Sequence, residues 1–212
     1  GKLEYARAFV LFFTLFIDYG FDFPATRETS IHRDNPKQLN KIFSQTMLAK
    51  FLLFIVSSII FFVLLYFDQS LRDLKNVMLA TYIINIGIVL FPGWFYQGLE
   101  KIRLIASINF VIKLVILSLT LVFLKEKSDF WIYNFLQSAA QIIVGIYTFN
   151  YAFKKFNIRL VKVKMEELLA TLKTGFPIFV SSFLGLIIAS FSFIILKYYV
   201  NEEDLGFFST AF

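Results

Sequence analysis

Residues 51–67 read Phe-Leu-Leu-Phe-Ile-Val-Ser-Ser-Ile-Ile-Phe-Phe-Val-Leu-Leu-Tyr-Phe, seventeen positions without a charge. A bilayer core of about 30 Å needs about 20 helical residues to cross, with about 17 as the lower limit. Four further runs pass the same test: Val77–Gly98, Leu104–Leu124, Phe130–Phe153 and Ile178–Val200. Short charged connectors separate them. Soluble domains do not repeat such runs back to back, so the expected fold is all-α, a polytopic membrane helix bundle.

Composition agrees. Hydrophobic residues make up 58% of the 212-residue chain, mean hydropathy is +0.70, and 29 residues are Phe. That exceeds the apolar share of an ordinary soluble chain. With no Cys, disulfides and thiolate metal sites are excluded. The net charge of +6 does not point to nucleic acid, because the basic residues sit in the connectors, where orientation in the bilayer accounts for them.

A weaker sixth span, from about Ala6 to Phe21, is interrupted by Arg7 and Asp18. Counting it, the connectors alternate between two sides. One side collects Arg27, Arg33, Lys37, Lys41, Lys50, Lys101, Arg103, Lys154, Lys155, Arg159, Lys162, Lys164 and Lys173. The other holds Arg72, Lys75, Lys125, Lys127 and the acidic run 201–204. Thirteen basic residues against four make the first side cytoplasmic. Two cytoplasmic segments also carry helical apolar spacing: Leu39, Ile42, Phe43 and Met47 after Asn35-Pro36, and Met165, Leu168, Leu169 and Leu172 before Gly175. Each is either a surface helix or the extension of a span beyond the bilayer. The chain opens without Met or a basic leader and stops within another apolar run, so it reads as an internal piece of a longer protein.

Polar residues fall on stripes. At 100° per residue, Arg7, Thr14 and Asp18 share one face. Asn109, Lys113 and Thr120 form a second, and Asn134, Ser138, Gln141, Gly145 and Thr148 a third. Thr81 and Asn85 begin a fourth. Phe51–Phe67 offers only Ser57 and Ser58, and its remaining surface is expected to face lipid. Several helices with one polar side each imply an interior polar surface, most simply a water-filled cavity. Lys113 lies near the centre of its span, where a cation costs about 2.5–3.5 kcal/mol. It suits an anionic ligand or a buried carboxylate partner. Arg7 serves a ligand or snorkels, and Asp18 couples an ion, caps its helix or forms a salt bridge.

Other candidates are weaker. His32 stands alone in a charged loop, without a second ligand for a metal. Lys197 reads as an anchor at the bilayer surface, and Trp94, Trp131, Tyr198 and Tyr199 as interfacial aromatics. Ser181, Gly185 and Ala189 suggest close helix contact.

Phe91-Pro92-Gly93-Trp94-Phe95-Tyr96-Gln97-Gly98-Leu99-Glu100 resembles the F-P-x-W-F-x-Q-G-x-E signature of bacterial polysaccharide-repeat flippases, the Wzx-type O-antigen transporters. Asp18-Tyr19-Gly20-Phe21 with Ala25-Thr26-Arg27 resembles their D-x-G-F…A-T-R element. Gly175-Phe176-Pro177-Ile178-Phe179 is similar to the opening of their seventh helix, shared across the multidrug, oligosaccharidyl-lipid and polysaccharide exporter superfamily. Arg7 and Lys113 belong to no motif. A match of Gly1–Ala6 with Gly206–Ala211, both Gly-x-apolar-x-x-Ala, agrees with a tandem six-helix repeat.

The resemblance implies a fragment of a two-lobed, 12–14-helix transporter in the bacterial inner membrane. Residues 1–174 would supply helices 2–6 of the first lobe, and 175–212 helix 7 and the start of helix 8. The implied cargo is an undecaprenyl-pyrophosphate-linked oligosaccharide, with membrane lipids, a polysaccharide polymerase and a chain-length regulator as partners and no cofactor. Arg7, Asn109, Lys113, Asn134 and Gln141 would face the cargo, and Asp18 would couple the driving ion. A cation-coupled drug antiporter of the superfamily would carry acidic cavity residues instead. A membrane polymerase or glycosyltransferase would need a sizeable extramembrane loop, and a scaffold subunit would not need Lys113.

Overall fold

The computed structural model describes the backbone of residues 2–123 and 130–199 and the side chains of 5–123 and 131–188. Ten helices and no strand occupy these stretches: α1 (Lys2–Asp18), α2 (Asp22–Ile31), α3 (Pro36–Phe67), α4 (Gln69–Asp73), α5 (Lys75–Tyr82), α6 (Ile84–Leu90), α7 (Gly93–Gly98), α8 (Ile102–Phe123), α9 (Phe130–Phe156) and α10 (Met165–Tyr199). The motif match at the two chain ends, the acidic run 201–204 and the side chains of Lys125, Lys127, Ala189, Lys197, Tyr198 and Tyr199 lie outside the described residues.

Five stretches are long and apolar enough to cross a bilayer: Tyr5–Ile31, Pro36–Phe67, Lys75–Gly98, Ile102–Phe123 and Met165–Ile188. The weak first span therefore qualifies. Helix α9 has 27 residues but is not among the five, because Asn134, Gln137, Ser138 and Gln141 dilute its apolar face. It packs against α5, α6 and α8. A helix packed against others on one side can carry its polar residues toward them.

Helix α3 begins at an Asn35 cap, whose side chain accepts from the Gln38 N–H at 3.3 Å, with Pro36 in the first turn. Its 32 residues span about 48 Å at 1.5 Å per residue, well beyond the hydrocarbon core. Leu39, Phe43 and Met47 are buried, so this segment is one end of the spanning helix and not a separate surface helix. Likewise Met165–Leu172 runs unbroken into the span within the 35-residue α10, through Pro177. Beyond Lys50, α3 buries one ridge (Ser57, Phe61, Leu65), half-buries Leu53, Phe54 and Ser58 beside it and exposes the rest, in keeping with a helix that has one lipid-facing side.

The run Val77–Gly98 is broken twice. Pro92 accounts for the second break, since it donates no N–H and restricts the residue before it. The first falls at Ile83. There Ser138 Oγ donates to the Ala80 carbonyl at 2.8 Å, the carbonyl that a regular helix would bond to residue 84. A side chain inserted into the ladder in this way kinks a helix.

Two aromatic clusters hold the bundle. One joins Phe43, Trp94, Phe95 and Tyr96 to Ala152 and Ile158; the other joins Phe13, Phe61, Met78 and Tyr82. In the second, the Phe61 and Tyr82 rings stack with centroids 3.9 Å apart, while the Tyr82 hydroxyl meets Ser57 and Ser58 at 3.0 and 3.1 Å. Trp94 departs from the interfacial placement expected of it. It is 0% exposed, because the helix restarted after Pro92 turns it inward onto Phe43. Trp131 is 49% exposed. The close contact expected at Gly185 is absent among the described residues: an added Cβ there would meet nothing within 4 Å.

Candidate functional site: a polar seam and a three-motif elbow

The α1 stripe turns inward at three heights. Near one end, Arg7 Nε donates to Asn134 Oδ1 at 3.0 Å, and its guanidinium lies 4.9 Å from the centroid of the Tyr133 ring. Asn134 Nδ2 donates to Thr81 Oγ1 at 2.8 Å. Midway, Thr14 Oγ1 donates to Asn85 Oδ1 at 2.7 Å, while Asn85 Nδ2 is buried without a partner among the described residues. At the far end, Asp18 pairs with Lys50 at 2.8 Å. The stripes of α1, α5–α6 and α9 therefore meet one another in a hydrogen-bonded seam. In this conformation Asn134 is 3% exposed and both ends of its amide are engaged.

Lys50 sits differently from its place in the charge count. It is 3% exposed within α3, held there by Asp18, and so is not a loop cation. The other basic residues of that side still outnumber those opposite, twelve against four.

Close backbone approach fixes the seam. A Cβ added to Gly87 of α6 would lie 2.4 Å from the Gln141 carbonyl carbon of α9, and one on Gly145 would lie 2.5 Å from the Gly87 oxygen. Gln141 itself is half-buried. Asn109 and Lys113 stand apart on α8, which packs mainly on α9 and α7. Asn109 is half-buried and Lys113 exposed. The structure thus brings Arg7, Asn134 and the backbone of Gln141 to one seam and leaves the α8 pair outside it. His32 faces Glu28 at 3.6 Å, and among the described residues no cluster of three metal-ligating side chains occurs.

The three sequence motifs converge on the elbow between α1 and α2, where Tyr19 and Gly20 adopt positive φ of 47° and 71°. Gly98 lets α7 press on α2: a Cβ there would lie 2.5 Å from Thr29 Cβ and 2.7 Å from the Thr26 carbonyl oxygen. Thr26 Oγ1 also donates to the Trp94 carbonyl at 3.2 Å. Gly175 meets the Tyr19 carbonyl oxygen at 2.7 Å from an added Cβ, and Gly20 meets Ile178 at 2.7 Å. Pro92, Trp94, Phe95 and Gly98 are buried, Phe91 is half-buried, and Gln97 and Glu100 are exposed. Pro177 is exposed on α10. Glu100 pairs with Arg33 at 3.2 Å. The exposed motif side chains Arg27, Gln97 and Glu100 line one open cleft of about 810 Å³ together with Asp22 and Thr26. Sequence spacing alone did not unite them.

Removing the Arg7 side chain tests the seam. Arg7→Ala leaves the buried Asn134 Oδ1 unpaired, a loss of about 1–3 kcal/mol. The thermal midpoint of the purified protein should fall, and Arg7→Lys should not restore it, because a lysine lacks the planar fork of donors.

An all-helical bundle with bilayer-length apolar helices and an internal polar seam defines a multi-pass membrane protein. The chain belongs to the polysaccharide biosynthesis protein family, which matches it over residues 1–212, in agreement with the resemblance read from the motifs. It is 26% identical over 212 residues to a protein of Escherichia coli (strain K12) named "Putative O-antigen transporter", covering 100% of this chain and 51% of that protein. It is 25% identical over 205 residues to one of the same name in Shigella dysenteriae, covering 97% of this chain and 51% of that protein. The chain thus spans about half the length of the curated relatives it matches. No solved structure matches it.

Proposed function

We propose that this chain is part of a non-enzymatic flippase of the bacterial inner membrane. It carries lipid-linked (undecaprenyl-pyrophosphate) oligosaccharide repeat units from the cytoplasmic to the periplasmic leaflet by alternating access. Residues 1–174 form helices 2–6 of the first lobe, and 175–212 open the second. The observation that carries this reading is the family match along the whole chain, supported by its three motifs packing on one another around the α1–α2 elbow.

The chemistry is consistent with that cargo. Sugars and pyrophosphate crossing a hydrocarbon core need hydrogen-bonding partners, since each unsatisfied group costs several kcal/mol. Lys113 and Arg7 attract the pyrophosphate; Asn109 and Gln141 serve the sugars; Asn134 holds Arg7 in place. Asp18, at the elbow, couples the driving ion to the rocking of the lobes.

The test uses the full-length protein in a strain lacking its own surface-polysaccharide flippase, with lipid-linked repeat units measured on each leaflet. Wild type should restore periplasmic units. Lys113→Ala should cut the flipping rate about tenfold or more at equal protein level, the loss expected of a charge-assisted contact worth about 1.5–3 kcal/mol. Flipping by Lys113→Ala at the wild-type rate would remove Lys113 from the cargo path. Failure of wild type across several glycans would favour the drug/cation antiporter.

A further inference from the structure

Residues 157–164 connect α9 to α10 without forming a helix. They are strapped along α3 by side chains of that helix: the Arg159 N–H donates to Asn40 Oδ1 at 2.8 Å and the Val161 N–H to Ser44 Oγ at 2.9 Å. The spacing fits, since two residues of extended chain advance about 6.6 Å and four of a helix about 6 Å. The strap thereby closes one wall of an apolar groove of about 410 Å³ whose other walls come from α3, α6 and α9. Met47, Phe51, Leu90, Phe149 and Val161 line it, and Lys162 is the charged residue at its edge. That volume lies within the range of ligand clefts, about 300–1,000 Å³.

We propose that this groove holds one acyl chain of a resident anionic phospholipid whose phosphate is bound by Lys162. Charge complementarity selects the headgroup. Between Lys154 and Lys164 the chain carries Lys154, Lys155, Arg159, Lys162 and Lys164 and no acidic residue. All five side chains are exposed, and none forms an ion pair among the described residues. Lysines beside a span orient it in any case. What adds a site is the apolar slot under one of them, held open by a strap with an exposed apolar residue, Leu160, at 60%. A cation at the mouth of a slot with greasy walls matches a phosphate on an acyl chain, and anionic lipids are attracted to basic juxtamembrane segments. The inference requires only that the chain lies in a bilayer, and it does not depend on what the protein transports.

The test is native mass spectrometry of the full-length protein released from nanodiscs containing equal phosphatidylglycerol and phosphatidylcholine. Wild type should retain phosphatidylglycerol preferentially. Lys162→Gln should lower that preference about fivefold, the contribution of one lysine beside an anionic surface. Val161→Trp, which fills the slot and keeps the charge, should lower retention of both lipids. Both substitutions are at exposed positions of the strap, and a monodisperse elution profile confirms that the variants are folded. An unchanged preference in Lys162→Gln, or unchanged retention in Val161→Trp, overturns the proposal. So does displacement of the bound phosphatidylglycerol by an equimolar amount of undecaprenyl phosphate, which would make the occupant the polyprenyl carrier.

Discussion

Gly87→Ala is expected to destabilise the protein by at least about 3 kcal/mol, and Gly87→Leu to leave no folded protein. Adding a methylene to a packed interior usually costs about 1–3 kcal/mol, because side chains leave their rotamers. At Gly87 the obstacle is backbone: the new carbon would stand 2.4 Å from the Gln141 carbonyl carbon, 2.5 Å from its oxygen and 2.6 Å from the Ile142 nitrogen. No rotamer relieves that overlap, so α6 and α9 must separate. Separation pulls Ser138 from the Ala80 carbonyl and Asn134 from Thr81, two bonds of 2.8 Å that stitch the broken helix to α9. The effect should appear as loss of the monodisperse peak in fluorescence-detected size exclusion, or as a large fall in thermal midpoint. Gly185→Ala is the matched control. An added Cβ there meets nothing within 4 Å among the described residues, so the change should be neutral or stabilise by up to about 1 kcal/mol through helix propensity. Equal behaviour of the two variants would rule out the tight crossing.

How far such features could be read beforehand depended on their range in sequence. Apolar runs and stripes are local: length and 100° arithmetic place Arg7, Thr14 and Asp18 on one face without reference to any other helix. The partner of each stripe is not local. Nothing between Arg7 and Asn134 announces a contact 127 positions apart, so polar faces that bond to one another suggested an aqueous cavity. Trp94 has the composition of a belt residue, and only the turn imposed by Pro92 shows that it points inward. Lys50 sits beside a lysine-rich segment and reads as a loop charge until Asp18 is placed next to it. The motif glycines were visible as a pattern, while their reason, backbone pressed on backbone at Gly98 and Gly175, exists only in three dimensions.

The ion pair of Asp18 and Lys50 gives the second large effect, and it separates structure from transport. Lys50 is 3% exposed and the Asp18 side chain 35%, so the pair is buried on one side and wetted on the other. Deleting one partner of a buried pair costs about 3–5 kcal/mol because a charge is stranded. With Asp18 partly solvated, about 3 kcal/mol is expected for Asp18→Ala. Lys50→Met removes the cation and keeps its apolar stem, and in the double variant no charge of the pair remains unmatched. The double variant should therefore recover most of the lost stability, since buried pairs replaced by apolar groups are often neutral. Thermal unfolding of the two single variants and the double measures this directly. Flipping in the same variants then tests Asp18 as the coupling group. If Asp18 serves only the fold, the stable double variant transports as wild type does. If the α1–α2 elbow takes up an ion at Asp18, the double variant is folded, reaches the membrane and stays inactive. The second outcome is expected, because Asp18 lies at the elbow where Tyr19 meets Gly175, and a group there senses any movement of α10 against α1.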